Sequence, residues 1–537
     1  MRTSIAAVAA AAGLVGSALA LAPTSSAAAA ARGATTAVTT TAAAGPISWG
    51  TCESPALKEA GAVCGYLSVP LDWSKPTGTK IQLAVSKIAH TVPAAKYQGV
   101  MLTNPGGPGG SGLTLSTLGQ YVPDGVGEAY DWIGFDPRGV GSSKPALSCL
   151  PNYFQGPRPS YIPFTRALTK TWLERSASYA AACGTNGGAL LKHVKTIDTV
   201  RDMDAIRAAL GAKQINYFGF SYGTYLAQVY ATLYPTRVRR MVLDSSVDPR
   251  TVWYQANLNQ DVAFERNIRI FFGWIAKHDS TYHLGTTAAA VRTRWYAEMA
   301  ELRKSPAGGV VGADEWTDIF LGTGYSQSAW PDAADLFADW ALRDDVAALV
   351  AAYEDNASLG DDNGFAMYNA TQCTDVQWPK DWSTWSRDNW RTHYRAPYET
   401  WANAWYNAPC LTWPAPAGRP VTINGSKAPA ILVVGETLDA ATPFAGNLQV
   451  RRLFPRARLL AQPGGTSHAA TLYGNTCVDD TIAAYLRNGA LPVRKASSWT
   501  ADAVCAPTPQ PEPNGEGLAP SKDRTGRAAL TPIGKVR

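Results

Sequence analysis

Charge is scarce in this sequence and is not gathered anywhere. Asp, Glu, Lys and Arg make up 17% of the 537 residues, the net charge is +6, and no run of lysine and arginine stands out. Gripping a phosphate backbone takes a concentrated basic patch, so nucleic acid is not an expected partner. Histidine is scarcer still, with six in the chain. The eight cysteines show neither a CxxC pair nor zinc-type spacing to histidine, so no metal is expected. Nothing calls for a cofactor. Past the N-terminus no apolar run is long enough to span a bilayer, and there is no internal repeat.

The N-terminus itself reads as an export signal over residues 1–32. Arg2 supplies a positive start, Ile5 to Leu21 is apolar and Ala-rich, and small residues follow around Ser26 to Ala31. The run is too short and too weakly hydrophobic for a stable membrane anchor, and no cysteine follows closely to carry lipid. Residues 33–46 are low in complexity and read as a leader or pro-segment. A secreted protein is expected, free or held at the cell wall. An even number of cysteines in an exported chain predicts disulfides among Cys52, Cys64, Cys149, Cys183, Cys373, Cys410, Cys477 and Cys505. They fall into four sequence-local couples, 52–64, 149–183, 373–410 and 477–505, the simplest of roughly a hundred arrangements.

From residue 47 onward the hydrophobic pattern alternates. Six strand-like runs, "GYLSVPLDW", "KIQLAVSKIAH", "GVMLTN", "YDWIGF", "QINYFGFS" and "VRRMVLDSSV", lead up to Asp248. "TIDTVRDMDAIRAAL" has helical spacing, with Val200, Met203, Ile206 and Leu210 on one face and Thr196 or Asp198 as cap. Strands alternating with helices predict an α/β fold with a mostly parallel central sheet. The pattern then breaks. Residues 248–428 are mainly helical and aromatic and hold 13 of the 18 tryptophans. Strand-like runs return at "APAILVVGETLDAATP" and "ARLLAQPGGTSHAA", with a helix at "TCVDDTIAAYLRNGALP". The reading is one core, residues 47–247 and 429–505, interrupted after its sixth strand by a large helical insertion, 248–428. Residues 506–537, rich in proline, glycine and charge, are expected to be disordered.

Gly219-Phe220-Ser221-Tyr222-Gly223 has the form G-x-S-x-G between a strand and a helix. A nucleophile on so tight a turn needs small neighbours, and the helix that follows aims its first amides at the turn. Serine needs a base, and the base an orienting acid. His90 and His193 precede Ser221, and His278, His283 and His393 fall in the insertion; His468 alone lies in a loop after the last predicted parallel strand. Asp439 follows "ILVVGETL" and is the favoured acid; Asp244 and Asp375 are its rivals. "NPGGPGGSG" lacks the Gly-Lys-Ser/Thr ending of a phosphate loop and reads instead as an oxyanion loop, with Gly107 and Tyr222 as amide donors.

Together "NPGGPGGSG", "GFDPRGVGSS", "GFSYGTYLAQVYATLYP", "TQCTD", "GETLDAATP" and the His468 loop resemble the α/β-hydrolase fold, and more narrowly the secreted actinobacterial tripeptidyl aminopeptidases related to proline iminopeptidases. The resemblance spans about Ile47 to Cys505. Pro105 stands where proline iminopeptidases carry histidine, as in the tripeptidyl group, and Ala469 stands where glycine often follows the catalytic histidine. The resemblance implies a serine exopeptidase that releases short peptides from free N-termini, with Ser221, His468 and Asp439 as triad and the insertion as a cap. A buried carboxylate would then receive the substrate ammonium, with Asp375 as candidate; a surface or capping acid is its other reading. A secreted carboxylesterase or lipase would use the same triad, and a non-catalytic peptide-binding protein is a third class. Oligomeric state is not legible.

Overall fold

The computed structural model describes residues 45–155, 157–357 and 362–514. The export signal, most of the leader and residues 515–537 lie outside them. Among the described residues ten strands form one sheet: β1 (Ser48–Thr51), β2 (Val63–Pro70), β3 (Lys80–Ile88), β4 (Val100–Asn104), β5 (Asp131–Phe135), β6 (Ile215–Phe220), β7 (Val238–Asp244), β8 (Leu432–Glu436), β9 (Arg458–Gln462) and β10 (Ala503–Val504). Their order is β1-β2-β3-β5-β4-β6-β7-β8-β9-β10. From β5 to β10 every pairing is parallel; β1, β2 and β3 form an antiparallel flank. The six strands expected before the insertion all form. The short edge strand β1, with a mostly exposed burial pattern, gave no hydrophobic signal to read.

The parallel strands bury both faces. In β6, Tyr217 joins one core and Phe218 the other; in β7, Leu243 and Val242 divide the same way, as do Val433 and Leu432 in β8. This is why these strands read as continuous apolar runs rather than alternating ones. A third core lies mostly within the insertion, around Phe264, Trp274, Trp295, Trp316, Trp330 and Phe337, and reaches the loop after β8 at Ala440 and Ala441. The tryptophans are thus mostly packing.

The strand order reverses at β4 and β6, which are neighbours although distant in sequence. Loops leaving their carboxyl ends diverge from a crevice, the usual place for a site in an open α/β sheet. The loop after β5 is pinned by Arg138. Its guanidinium makes a two-pronged bond to Asp202, both contacts 2.6 Å, and donates to the carbonyls of Leu71 and His193. Both side chains are fully buried.

Asp202 lies on the helix Thr196–Ala209, where Val200, Met203 and Ile206 face the core as their spacing predicts. Neither Thr196 nor Asp198 caps it. The cap position is Lys195, with no side-chain bond, and Asp375 accepts the Thr196 amide from across the fold at 2.6 Å. The cysteines pair as Cys52–Cys64, Cys149–Cys183, Cys373–Cys410 and Cys477–Cys505. Residues 506–514 depart from the expected disorder. Carbonyls of Thr508 and Pro509 take the Gln327 amide and that of Pro511 takes the Trp274 indole N–H. A segment too polar to build a core is ordered here by lending its carbonyls to one. Among the described residues no helix is long and apolar enough to cross a membrane.

Asp202→Asn should leave the Arg138 charge buried with a weakened partner. The expected loss is about 3–5 kcal/mol of unfolding free energy, read by denaturant titration; a loss under about 1 kcal/mol would show that the pair does not hold the loop.

Candidate active site

Ser221 occupies the residue between β6 and the helix Tyr222–Leu233, at φ +53°, a backbone region that residues with a side chain rarely enter. Tight packing imposes the turn. A Cβ at Gly223 would lie 2.6 Å from the Asn104 carbonyl oxygen, so β4 and the helix approach this closely only with glycine there. The Ser221 amide donates to the Asp244 carbonyl at 3.0 Å, tying the turn to the end of β7. Ser221 is half-buried while its neighbours Phe220 and Tyr222 are buried. Its hydroxyl faces a cavity of about 80 Å³ that Gly107, Tyr222, Trp253, Asn257, Gln372 and Thr442 also line.

The loop after β4 comes to the same place. Gly106 (φ +101°) passes so close that a Cβ on it would lie 2.8 Å from the Ser221 Cβ and 3.0 Å from the Tyr222 nitrogen. Asp136, at the end of β5, holds this loop from behind. It accepts from Ser111 Oγ at 2.5 Å, the Gly112 amide at 3.0 Å and the Ser142 amide at 2.8 Å. Tyr222 is the first residue of its helix, so its N–H has no carbonyl one turn back to bond. Gly107 and Tyr222 therefore flank Ser221 with small or unclaimed backbone, the arrangement an oxyanion requires.

His468 and Asp439 meet across 29 residues of sequence. His468 Nδ1 lies 2.9 Å from Asp439 Oδ2, and both side chains are buried. With a carboxylate facing Nδ1 the ring proton sits there, and Nε2 presents its lone pair. Nε2 is buried and makes no hydrogen bond to a described residue. Thr442 accompanies the pair: its amide and hydroxyl donate to the two oxygens of Asp439 at 3.0 and 2.8 Å, and its hydroxyl lies 3.3 Å from His468 Nδ1. Thr442 also lines the Ser221 cavity, so the acid–histidine pair lies directly behind that wall.

The loop carrying His468 forms no regular structure, yet its amides are almost all claimed. Ser467 N–H goes to Glu436 (2.5 Å), His468 N–H to the Tyr325 carbonyl (2.7 Å), Ala469 N–H to Ser245 Oγ (2.9 Å), and Thr471 N–H to Asp244 (3.0 Å). Asp244, considered as the acid in the sequence, is thus a loop holder. Burial raises its pKa to about 6 despite the bonds from Thr471. Burial raises Glu436 further, to about 8, against the bond from Ser467. For His468 burial alone would lower the pKa, but the neighbouring Asp439 and, more weakly, Asp244 outweigh it and leave it above 6.5.

The insertion grips both loops. From the helix Tyr254–Lys277, Gln260 donates to the Ala441 carbonyl (2.6 Å), Arg266 to those of Leu438 and Asp439, and Asn267 to that of Thr466 (3.2 Å). Gln260 and Asn267 stand seven residues apart, on one helix face, among many other polar residues that mask the spacing in the sequence. Glu436 and Thr442 were also not singled out, since nothing local marks a buried glutamate that accepts an amide.

Asp375 does not take the place expected of it. Its oxygens are occupied by the Thr196 amide and hydroxyl (both 2.6 Å) and the Trp253 indole N–H (3.2 Å). It lies behind Trp253, outside the cavity wall. Burial raises its pKa to about 6, and the helix amide it caps explains why a carboxylate is there. Among the described residues no His, Cys, Asp and Glu cluster has metal-binding geometry.

Two pH effects should follow. The acid limb of kcat/KM, which reports loss of the His468 lone pair, should have its midpoint above 6.5; a midpoint at 6 or lower would mean that Asp439 does not set the imidazole's charge. Glu436 has a folded-state pKa of about 8 against an ordinary 4.5. The unfolded chain therefore gives up this proton first, and stability falls as pH rises through that interval. Glu436→Gln keeps an acceptor for Ser467 and should flatten the decline, by on the order of a few kcal/mol; an unchanged slope would show that Glu436 ionises normally.

The α/β-hydrolase fold family matches residues 99–468. Curated relatives include a tripeptidyl aminopeptidase of Streptomyces coelicolor, 41% identical over 87% of this chain and 87% of its own. Serine protease Hip1 of Mycobacterium tuberculosis is 30% identical over 83% and 90%. Carboxylesterase B of the same species is 29% identical over 83% and 88%. A hydroxyl on a strained turn, an amide-lined approach beside it and a buried acid–histidine pair behind the same wall are what that fold assembles, and the chain belongs to the α/β-hydrolase fold family, within it to the serine hydrolases related to tripeptidyl aminopeptidase.

Proposed function

We propose that the protein is an exported serine exopeptidase that releases short peptides, tripeptides in particular, from free N-termini through an acyl-enzyme. The observation that carries the reading is that Ser221, Gly107, Tyr222 and Thr442 line one small cavity, with Thr442 bonded to Asp439 and in contact with His468 behind it. In this mechanism His468 Nε2 takes the Ser221 proton as the oxygen attacks the scissile carbonyl. The new oxyanion is received by the Tyr222 and Gly107 amides. Collapse expels the amine, which takes its proton from His468. Water then enters by the reverse path, with His468 as base, and frees the N-terminal fragment. Asp439 fixes the ring throughout.

The peptide class is supported by the tripeptidyl aminopeptidase and protease relatives. Restriction to chain ends is supported by residues 248–428, which we assign as a cap: Trp253, Asn257, Tyr368 and Gln372 from it wall the cavity beside Ser221. Export is supported by the four disulfides and by the N-terminal sequence pattern. A carboxylesterase is the second reading, favoured by the relative that bears that name and by a triad suited to either acyl group.

A panel of aminoacyl, dipeptidyl and tripeptidyl p-nitroanilides, each with free and acetylated N-terminus, beside p-nitrophenyl esters, separates the two. Tripeptidyl substrates should be cleaved fastest, and acetylation should cost at least tenfold. Rapid ester turnover with no release from any free-amine peptide would sink the peptidase reading. Ser221→Ala should lower kcat by about 10⁴-fold or more with a melting temperature close to the parent's.

A further inference from the structure

A second, larger cavity, about 700 Å³, lies between the segment that follows β5 and the helices of the insertion. It touches the active-site loop through Tyr325. The Tyr325 carbonyl accepts the His468 amide at 2.7 Å, and its ring stands edge-on to the imidazole with centroids 5.8 Å apart. Two residues on, the Gln327 amide donates to Ser467 Oγ at 3.4 Å. The chamber therefore meets the site on its imidazole side, through Tyr325, and shares no lining residue with the Ser221 cavity. That side has a chemical meaning. The expelled amine takes its proton from His468, so the chain beyond the scissile bond leaves past the imidazole.

The chamber is largely aromatic, with Tyr153, Phe154, Trp172, Tyr353 and Tyr406 among its walls. Two guanidinium groups also reach it. Arg158 is neutralised, by Glu315 at 3.0 Å and Asp318 at 2.7 Å. Arg175 is not. It stacks over the rings of Tyr153 (5.0 Å to the centroid) and Trp172 (5.5 Å), and Nη2 donates to the Tyr153 carbonyl at 2.8 Å. Its Nε is buried without a partner, and no described carboxylate lies within ion-pair distance. The other acids of the chamber are engaged or peripheral: Asp332 accepts from Asn514, and Asp355 is exposed. A cation fixed by rings, in an apolar wall and lacking a counter-ion, gains most from an anionic ligand that brings two oxygens.

We propose that this chamber is the leaving-peptide site and that Arg175 receives the C-terminal carboxylate of a short substrate. The inference rests on the peptidase reading above. On it the protein is an oligopeptidase by preference: the downstream fragment of a substrate a few residues longer than the released peptide fits inside, and its carboxylate is read at the far wall. A longer chain loses that contact.

The test compares peptides with one common N-terminal tripeptide and one to five downstream residues, each as C-terminal acid and as amide. With the parent protein one length should give a maximum of kcat/KM, and there the acid should exceed the amide by about tenfold or more, the range of one charge-assisted hydrogen bond. In Arg175→Gln that ratio should fall to about one, and Arg175→Lys should restore part of it. Inhibition of tripeptidyl p-nitroanilide cleavage by the free downstream peptide, again acid against amide, gives the same comparison in the parent protein and needs no variant to fold. Equal rates for acid and amide at every length would overturn the proposal, as would a ratio that survives in Arg175→Gln or a dependence confined to N-terminal groups. If no peptide of the series is cleaved at all while esters are, the peptidase reading has failed rather than this one.

Discussion

Loops at the carboxyl edge of a parallel sheet have no ladder to satisfy their amides, and here buried carboxylates take them. Asp136 at the end of β5 holds the glycine loop, Asp244 at the end of β7 holds Thr471, and Glu436 at the end of β8 holds Ser467. Asp375 does the same for a helix start and Asp439 for Thr442. The donors such a buried acceptor gathers offset part of its desolvation and fix irregular backbone at once. The site is built from such loops, so its geometry depends on these acids more than on any hydrophobic contact. One of them, Asp439, also faces an imidazole, which separates an orienting acid from a purely structural one.

The insertion completes this arrangement. Its first helix donates to the loops of both Asp439 and His468, and Tyr325 accepts the His468 amide. The core sheet by itself would leave those carbonyls and that amide to water. The insertion is in turn stable enough to do this because it has its own aromatic core. Strain at Ser221 is carried by the contacts around it, chiefly the approach of Gly106 and the bond from its amide to Asp244.

Much of this was legible before any coordinates. The apolar runs of β4 to β9 are long because both faces are buried, and the glycines around Ser221 and in the loop after β4 mark backbone that must come close. His468 and Asp439 stood out by position after strands. Three features were not legible. β1 is exposed and short, so it carries no pattern. Asp375 reads equally as an ammonium receptor or a capping acid, and only the packing shows that a helix amide and an indole engage it. Residues 506–514 have the composition of a disordered tail, and their order comes from carbonyls, which composition does not report.

The sequence by itself determined the sheet, the position of the elbow and the candidate chemistry, because each rests on local rules: the period of apolar residues, the steric demand for glycine and the order of residue types along the chain. Tertiary structure alone decided which acids orient, which merely hold loops, and that a chamber opens beside the imidazole with an uncompensated arginine in its wall. Those outcomes depend on partners drawn from distant segments, as Asp439 and His468 show over 29 residues and Arg138 and Asp202 over 64. No local pattern encodes such a meeting, since its energy exists only once the intervening chain is folded and water is gone.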